Sequence, residues 1–250
     1  MRVVGVLLGC LLSTLALAKT AHPKTKAAAP VVDPGPAQIL FTFDDGPSNE
    51  LTPKVLELLE QHHIHAVFFV NGWHFSGNRP AHERAREILR DEIARGHLVG
   101  NHTVNHYFLC GHYYIKQAEK EINTNAELIA QATGKPPELF RTPYGAHCPA
   151  LTKILDRLHI TPIGWDIDPQ DWKVRNAKKI ETYVIHQLKK QRGRAIVLLH
   201  DIHFETIRAL PKILDWIEAE NLRRTAAKQD PIQIVDYSYL LPAKPAAPPP

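Results

Sequence analysis

Residues 39–46 read ILFTFDDG, an apolar run that ends in two adjacent carboxylates and a glycine. Ile39–Phe43 is short and rich in β-branched and aromatic residues, so it reads as a strand. Asp44 and Asp45 repel each other and lose hydration wherever the strand end is covered. A solvated turn tolerates such a pair. A covered one needs a cation to offset the charge and different tasks for the two acids.

Working outward, similar short runs recur at Ala66–Val70, Leu98–Gly100, Leu139–Phe140, Ile160–Trp165, Ala195–Leu199 and Ile232–Val235, with helix-like stretches between them. The first helix is expected to use Thr52 as its cap and Pro53 as its first residue, burying Val55, Leu56, Leu58 and Leu59. The second covers Ala81–Arg95 and stops at Gly96. The third carries Ile115, Ala118, Ile122 and Ile129 and ends at Gly134 with Pro136 beyond. Later helices follow Pro149, Asn176 and Glu205, and Pro211 is expected to kink or divide the last. Seven strand–helix alternations without hairpin signals argue for an α/β fold with a parallel sheet, doubly wound or closed into a barrel.

In a parallel barrel, chemistry sits just past the C-terminal ends of the strands. Ionisable residues fall at that place after five of the runs. They are Asp44 and Asp45; His102 and His106; Arg141 beside Tyr144; Asp168 and Asp171 beside Trp172; and His200. His102 and His106 are four apart, so in a helical turn both imidazoles share a face and suit a divalent metal. In a chain with 15 histidines that pair is weak by itself. A carboxylate from Asp44 or Asp45 completes a two-His, one-carboxylate set, and the spacing does not say which one binds. His62, His63, His65 and His97 read as solvated, packing or capping groups; His112 and His147, near the proposed site, and His203, three after His200, are given no role because placement alone does not license one.

The chain has 250 residues, enough for one barrel-sized domain, and its net charge of +4 with no dense Lys/Arg stripe gives no support to nucleic-acid binding. Arg2 precedes the apolar stretch VVGVLLGCLLSTLALA, and Ala16-Leu17-Ala18 has the small-x-small pattern of a signal-peptidase site. That stretch is too short to favour a membrane span. Residues 1–18 are therefore expected to be a signal peptide and the protein to be exported. A rival reading takes Leu7–Cys10 as a lipoprotein box with Cys10 as the anchor. Residues 19–37 read as a Pro/Ala/Lys-rich linker, 38–241 as the functional domain and 242–250 as a Pro-rich tail. Removing the signal leaves Cys110 and Cys148 of the three cysteines, an even pair in an oxidising compartment. Each lies four residues after His106 or Tyr144, so a disulfide bracing the rim of the site is expected. The alternative is two buried thiols.

In this order, TFDDG (42–46), HTVNH (102–106), RTPY (141–144), DPQDW (168–172) and LLH (198–200) resemble the motifs of the NodB-type polysaccharide deacetylases, carbohydrate esterase family 4. The resemblance runs from Gln38 to about Tyr237. It implies a distorted (β/α)7 barrel with the active site at the C-terminal ends of the strands. It implies that Asp45, His102 and His106 hold one divalent metal, zinc first, with cobalt or manganese as alternatives. Asp44 is then the general base, oriented by Arg141, and His200 the general acid, held by Asp171. The backbone N–H of Tyr144 would stabilise the oxyanion. Trp172, Leu198 and Pro143 would contact substrate, with Trp172 and Leu198 walling a pocket for the acetyl methyl. Asp168 is given a structural part.

The implied reaction removes N-acetyl groups from N-acetylglucosamine units of peptidoglycan or chitin-like oligosaccharides. Alternatives are an O-acetyl esterase on xylan, an inactive carbohydrate-binding barrel, and a two-metal phosphohydrolase, which needs more ligands than these. The expected partner is an N-acetylated glycan, with no nucleic acid and no membrane span. Residues 72–80 and 107–114 carry aromatics suited to stacking on sugar rings.

Overall fold

The computed structural model describes residues 34–241. The expected signal peptide, Cys10, residues 19–33 of the expected linker and the tail at 242–250 lie outside them. Ala37, at the end of the expected linker, is buried, and its carbonyl accepts from the Gln233 N–H at 2.8 Å. No helix of the described residues is long and apolar enough to cross a membrane.

The opening run forms β1 (Gln38–Asp44), buried from Ile39 onward on both faces, as a central parallel strand must be. It pairs along its whole length with β4 (Arg194–His200), from Gln38 opposite Arg194 to Asp44 opposite His200. Its other edge is shared. β2 (Val67–Val70) takes the half near Asp44, and β5 (Gln233–Ile234) takes Gln38 and Ile39. β3 (Leu98–Asn101) extends the sheet beyond β2, and every pairing is parallel.

The two remaining apolar runs form no named strand. Single parallel bridges, Asn101 to Phe140, Phe140 to Pro162 and Ile167 to Val197, place them in the gap between β3 and β4. The wall therefore closes, distorted at this seam, where Pro162 cannot donate a ladder hydrogen bond. The expected distorted barrel is the fold observed: the first six segments follow in sequence around the wall, and the seventh, β5, sits beside β1 on the edge that β1 shares with β2.

Alternation along β1 decides what faces the site. Ile39, Phe41 and Phe43 join the large apolar layer under the helices, while Leu40 packs inside the barrel with Val67, Phe69 and Leu139. Asp44 shares the inward parity of Leu40 and Thr42. The helices are α1 (Thr52–Gln61), α2 (Pro80–Ala94), α3 (Ala118–Thr133), α4 (Pro149–Arg157), α5 (Ala177–Lys190) and α6 (Phe204–Ala226).

Several helix expectations need correcting. Thr52 is the first helical residue rather than the cap: its hydroxyl accepts from Ser48 N–H at 2.8 Å and donates to the buried Asp201 carboxylate. Ile115 lies in a short 3-10 turn before α3, whose expected end at Gly134 is a left-handed cap with φ 79°. α6 runs unbroken through Pro211 because Leu210, Ile213, Leu214 and Ile217 anchor both sides of it in the core.

Candidate active site

The carboxylates diverge where β1 ends. Asp44 stays inside the barrel, 3% exposed, and its Oδ1 accepts from Arg141 Nη1 at 2.7 Å. Arg141 is fully buried; Nη1 also reaches Thr42 Oγ1 at 2.8 Å, Nε reaches the Ile163 carbonyl at 3.1 Å and Nη2 the Gly164 carbonyl at 2.9 Å. The Phe69 ring lies 4.2 Å from the guanidinium carbon. Every face of this cation is thus spoken for, which tolerates its burial and fixes Asp44.

Asp45 turns out of the strand at φ 75°. Its Oδ1 lies 3.1 Å from His106 Nε2 and 3.5 Å from His102 Nε2. Asp44 also approaches His102, Oδ2 to Nε2 at 3.6 Å, but only Asp45 reaches both rings. Donor atoms of Asp45, His102 and His106 all lie within 4.8 Å of one another, the single such group of three found among the described residues.

These residues fit a divalent cation. Asp45 Oδ1 is buried with no hydrogen-bond partner, and burial pushes the Asp45 carboxyl pKa up, so its charge needs a counter-ion. Burial pushes both histidine pKa values down, favouring the neutral imidazoles that coordinate metal. His102 Nδ1 donates to the Arg141 carbonyl at 2.8 Å, which leaves Nε2 free as a ligand. Two imidazoles and one carboxylate suit zinc with an open position.

The histidines do not sit on a helical turn, contrary to the reading of their spacing. Residues 102–106 form an irregular loop in which Thr103 has φ 68° and His106 φ 54°. Left-handed backbone at non-glycine residues is costly, and here it turns both rings inward.

The segment Asn71–His74 secures this loop, and sequence reasoning missed its part. Asn71 Nδ2 donates to the His102 carbonyl at 2.6 Å. The N–H groups of Gly72 and Trp73 donate to the carbonyls of Thr103 and Val104 at 3.1 and 3.0 Å. Asn71 N–H reaches the Gly46 carbonyl at 3.0 Å, and His74 Nε2 donates to the Asp45 carbonyl at 2.8 Å. Both loops that carry candidate ligands thus hang on four consecutive residues. A Cβ on Gly72 would come within 2.5 Å of Asn125 Oδ1, so glycine alone fits there. Only Trp73 and His74 advertise themselves in the sequence; the rest is backbone hydrogen bonding that no residue pattern announces.

His200 ends β4 across the cleft, with Nδ1 2.7 Å from Asp171 Oδ1. Asp171 Oδ2 accepts from the His200 N–H at 2.8 Å and from Thr206 Oγ1 at 2.6 Å. Burial disfavours the charged imidazole, but the Asp171 bond, with the Asp171, Asp44 and Asp45 charges, outweighs it and raises the pKa to about 9. His200 Nε2 stands 3.9 Å from Asp45 Oδ2.

A cavity of 300 Å³ joins these groups, lined in addition by Tyr144, Trp165, Asp168, Trp172 and Leu198. Trp172 and Leu198, expected to contact substrate, are among the residues that line it. Pro143, expected to touch substrate, is buried and does not line the cavity. Tyr144 stands at φ 59° with its ring 4.5 Å from that of His106. Asp168, read as structural, accepts from Gln170 N–H at 2.7 Å and also lines the cavity. Cys110 and Cys148 form a disulfide, Cα–Cα 6.0 Å, joining the loop after His106 to the start of α4.

The fold and donor set define a metal-binding (β/α) barrel. Comparison with known proteins sharpens this. The polysaccharide deacetylase family model matches residues 32–163. Peptidoglycan-N-acetylmuramic acid deacetylase PdaC of Bacillus subtilis is 33% identical over 198 residues, covering 79% of this chain and 39% of that protein. The chitooligosaccharide deacetylase of Azorhizobium caulinodans is 32% identical over 166 residues, covering 66% of this chain and 74% of that protein. The solved structure of peptidoglycan deacetylase PdaC from Bacillus subtilis superposes with a TM-score of 0.67 and 31% identity, over 84% of this chain and 92% of that one. The chain belongs to the polysaccharide deacetylase family. It spans about two fifths of the length of curated PdaC, 39%.

Proposed function

We propose that this chain is a metal-dependent hydrolase that removes N-acetyl groups from N-acetylglucosamine units of peptidoglycan or chitin-like oligosaccharides and releases acetate. One observation carries the reading. Asp45, His102 and His106 converge on one point while their neighbour Asp44 is tied to Arg141 instead.

A zinc ion on those three residues would supply Lewis acidity and lower the pKa of water near the scissile carbonyl. Asp44 Oδ1 is engaged by Arg141, and Oδ2 remains to take the proton of the attacking water. Arg141 and Thr42 set the direction of that carboxylate. His200, its Nδ1 bound to Asp171, presents Nε2 to the cleft and gives its proton to the departing sugar amine. An unprotonated amine anion is a very poor leaving group, so this transfer is required. The Tyr144 N–H is assigned to the developing oxyanion, and Trp172 and Leu198 wall the space for the acetyl methyl.

We also assign the chain to an exported compartment. The Cys110–Cys148 disulfide suits oxidising surroundings, and peptidoglycan is named as the substrate of PdaC.

The test is acetate release from purified peptidoglycan, chitin oligomers and acetylated xylan, with and without a chelator. Release from the N-acetylated glycans that stops with chelator and returns with zinc is expected. Release from xylan alone would replace the amidase reading with an esterase one. Glycan binding without any acetate would replace it with a binding protein.

A further inference from the structure

Each metal-site histidine follows an asparagine, in the pattern Asn101-His102 and Asn105-His106. Both asparagines are held by α3, where the buried Glu121 and Asn125 stand four apart and share a face. Asn101 Oδ1 accepts from Asn125 Nδ2 at 2.8 Å and from the Thr103 N–H at 2.9 Å, and its Nδ2 donates to the Ile122 carbonyl at 2.9 Å. Asn105 gives both its backbone and its side-chain N–H to Glu121, to Oε2 at 2.8 Å and to Oε1 at 2.7 Å.

The two histidines differ in what else supports them. His102 has its Nδ1 on the Arg141 carbonyl and its own carbonyl on Asn71. His106 stands at φ 54°, and its N–H reaches Thr103 Oγ1 at 3.2 Å. Left-handed backbone persists at such a residue only where the surroundings over-determine it. The fork on the residue just before it is the natural holder, since hydrogen bonds to a carboxylate are about twice as strong as neutral ones. Glu121 is 6% exposed, and burying a carboxylate is costly. An acid that served only the positive end of α3 would stay in water, as Glu119 does in the same turn, with its side chain 47% exposed.

We propose that Glu121 is a positioning residue of the metal site: its carboxylate grips Asn105 and thereby sets the backbone of His106 so that Nε2 meets the ion. This rests on the deacetylase reading only for the use to which the metal is put, and it is tested on metal binding.

Zinc affinity of the full chain is measured by competition with a chelator in wild type, Glu121→Ala, Glu121→Gln, Asn105→Ala and Glu119→Ala. Glu121→Ala is expected to bind zinc about 10–100-fold more weakly, the usual effect of losing an outer partner of a metal ligand. Glu121→Gln can pair amide to amide with a flipped Asn105 and is expected to keep most of the affinity. Asn105→Ala loses only the side-chain bond and leaves α3 intact, so a loss of about five- to tenfold is expected. Glu119→Ala removes an acid from the same helical turn and is expected to leave zinc binding unchanged. With cobalt in place of zinc, the visible absorption, which reports coordination geometry, is expected to change in Glu121→Ala and to match wild type in Glu121→Gln.

Unchanged zinc affinity in Glu121→Ala, beside a lowered Tm, would overturn the proposal and leave Glu121 a helix-end acid. So would an equal loss in Glu119→Ala, or a loss in Glu121→Gln as large as in Glu121→Ala, which would assign the effect to charge rather than to the fork. If Glu121→Ala does not fold, Asn105→Ala decides, and unchanged affinity there overturns the grip. Wild type that binds zinc but releases no acetate removes the deacetylase reading alone, and the affinities still decide the role of Glu121. Wild type that binds no zinc removes both.

Discussion

Asp44 points into the barrel against a guanidinium, and Asp45 turns out of the strand toward two imidazoles, so the same substitution should fail differently at each. Asp44→Asn is expected to keep its zinc through dialysis and to lose turnover by about 10²–10⁴-fold, the usual worth of a positioned general base. Asp45→Asn is expected to lose the metal itself. Metal analysis beside acetate release separates the two, and loss of zinc from Asp44→Asn would reverse their roles. At His200 the leaving group is the discriminator. An amine needs the proton and an aryl oxide does not, so His200→Ala should depress amide turnover about 10²-fold or more while sparing 4-nitrophenyl acetate. Equal losses on both substrates would remove His200 from the acid's place.

Between residues and the whole barrel, the segment after β2 matters more than its sequence suggests. Asn71 gives its side-chain amide to the His102 carbonyl at 2.6 Å and its N–H to Gly46 at 3.0 Å. Asn71→Ala removes the first bond and leaves the second. Zinc affinity is expected to fall about 10–100-fold, as is usual when an outer partner of a metal ligand is lost; a competition titration against a chelator would read it, and an unchanged affinity would reduce the segment to packing. Helix ends were legible because they depend on local chemistry: Gly134 caps α3, and the Asn176 side chain accepts from Lys179 N–H at 2.9 Å to open α5. The histidine loop was misread because spacing of four has a helical meaning only where the backbone is helical, and Thr103 and His106 adopt left-handed angles. Thr206, which holds Asp171, carried no signal because its partner lies 35 positions away.

For the molecule as a whole, the parallel barrel was legible in the succession of short apolar runs, and residues of all five motif-bearing segments do line one cavity. The seam was not, since the runs at 139–140 and 160–165 look like the others yet join by single bridges. The core also holds a group that titrates. His97 is 3% exposed, and its Nδ1 accepts from the Ala66 N–H at 3.1 Å, a bond that protonation would replace with a clash. Burial first, then the nearby His65 and Arg95, push its pKa from 6.5 to about 4. Between those values the unfolded chain binds a proton that the folded one refuses, so stability present above pH 6.5 is lost as pH falls toward 4. His97 alone should cost about 1–2 kcal/mol between pH 7 and pH 5. Thermal melting should show a shallower acid decline in His97→Gln, whose amide oxygen can still accept from Ala66; identical slopes would assign the decline elsewhere. At the seam, Arg141 grips the Ile163 and Gly164 carbonyls where the backbone ladder runs out. One guanidinium therefore serves as both rivet and reagent-holder, and a variant that loses it will confound broken architecture with broken chemistry unless the integrity of the wall is measured alongside the rate.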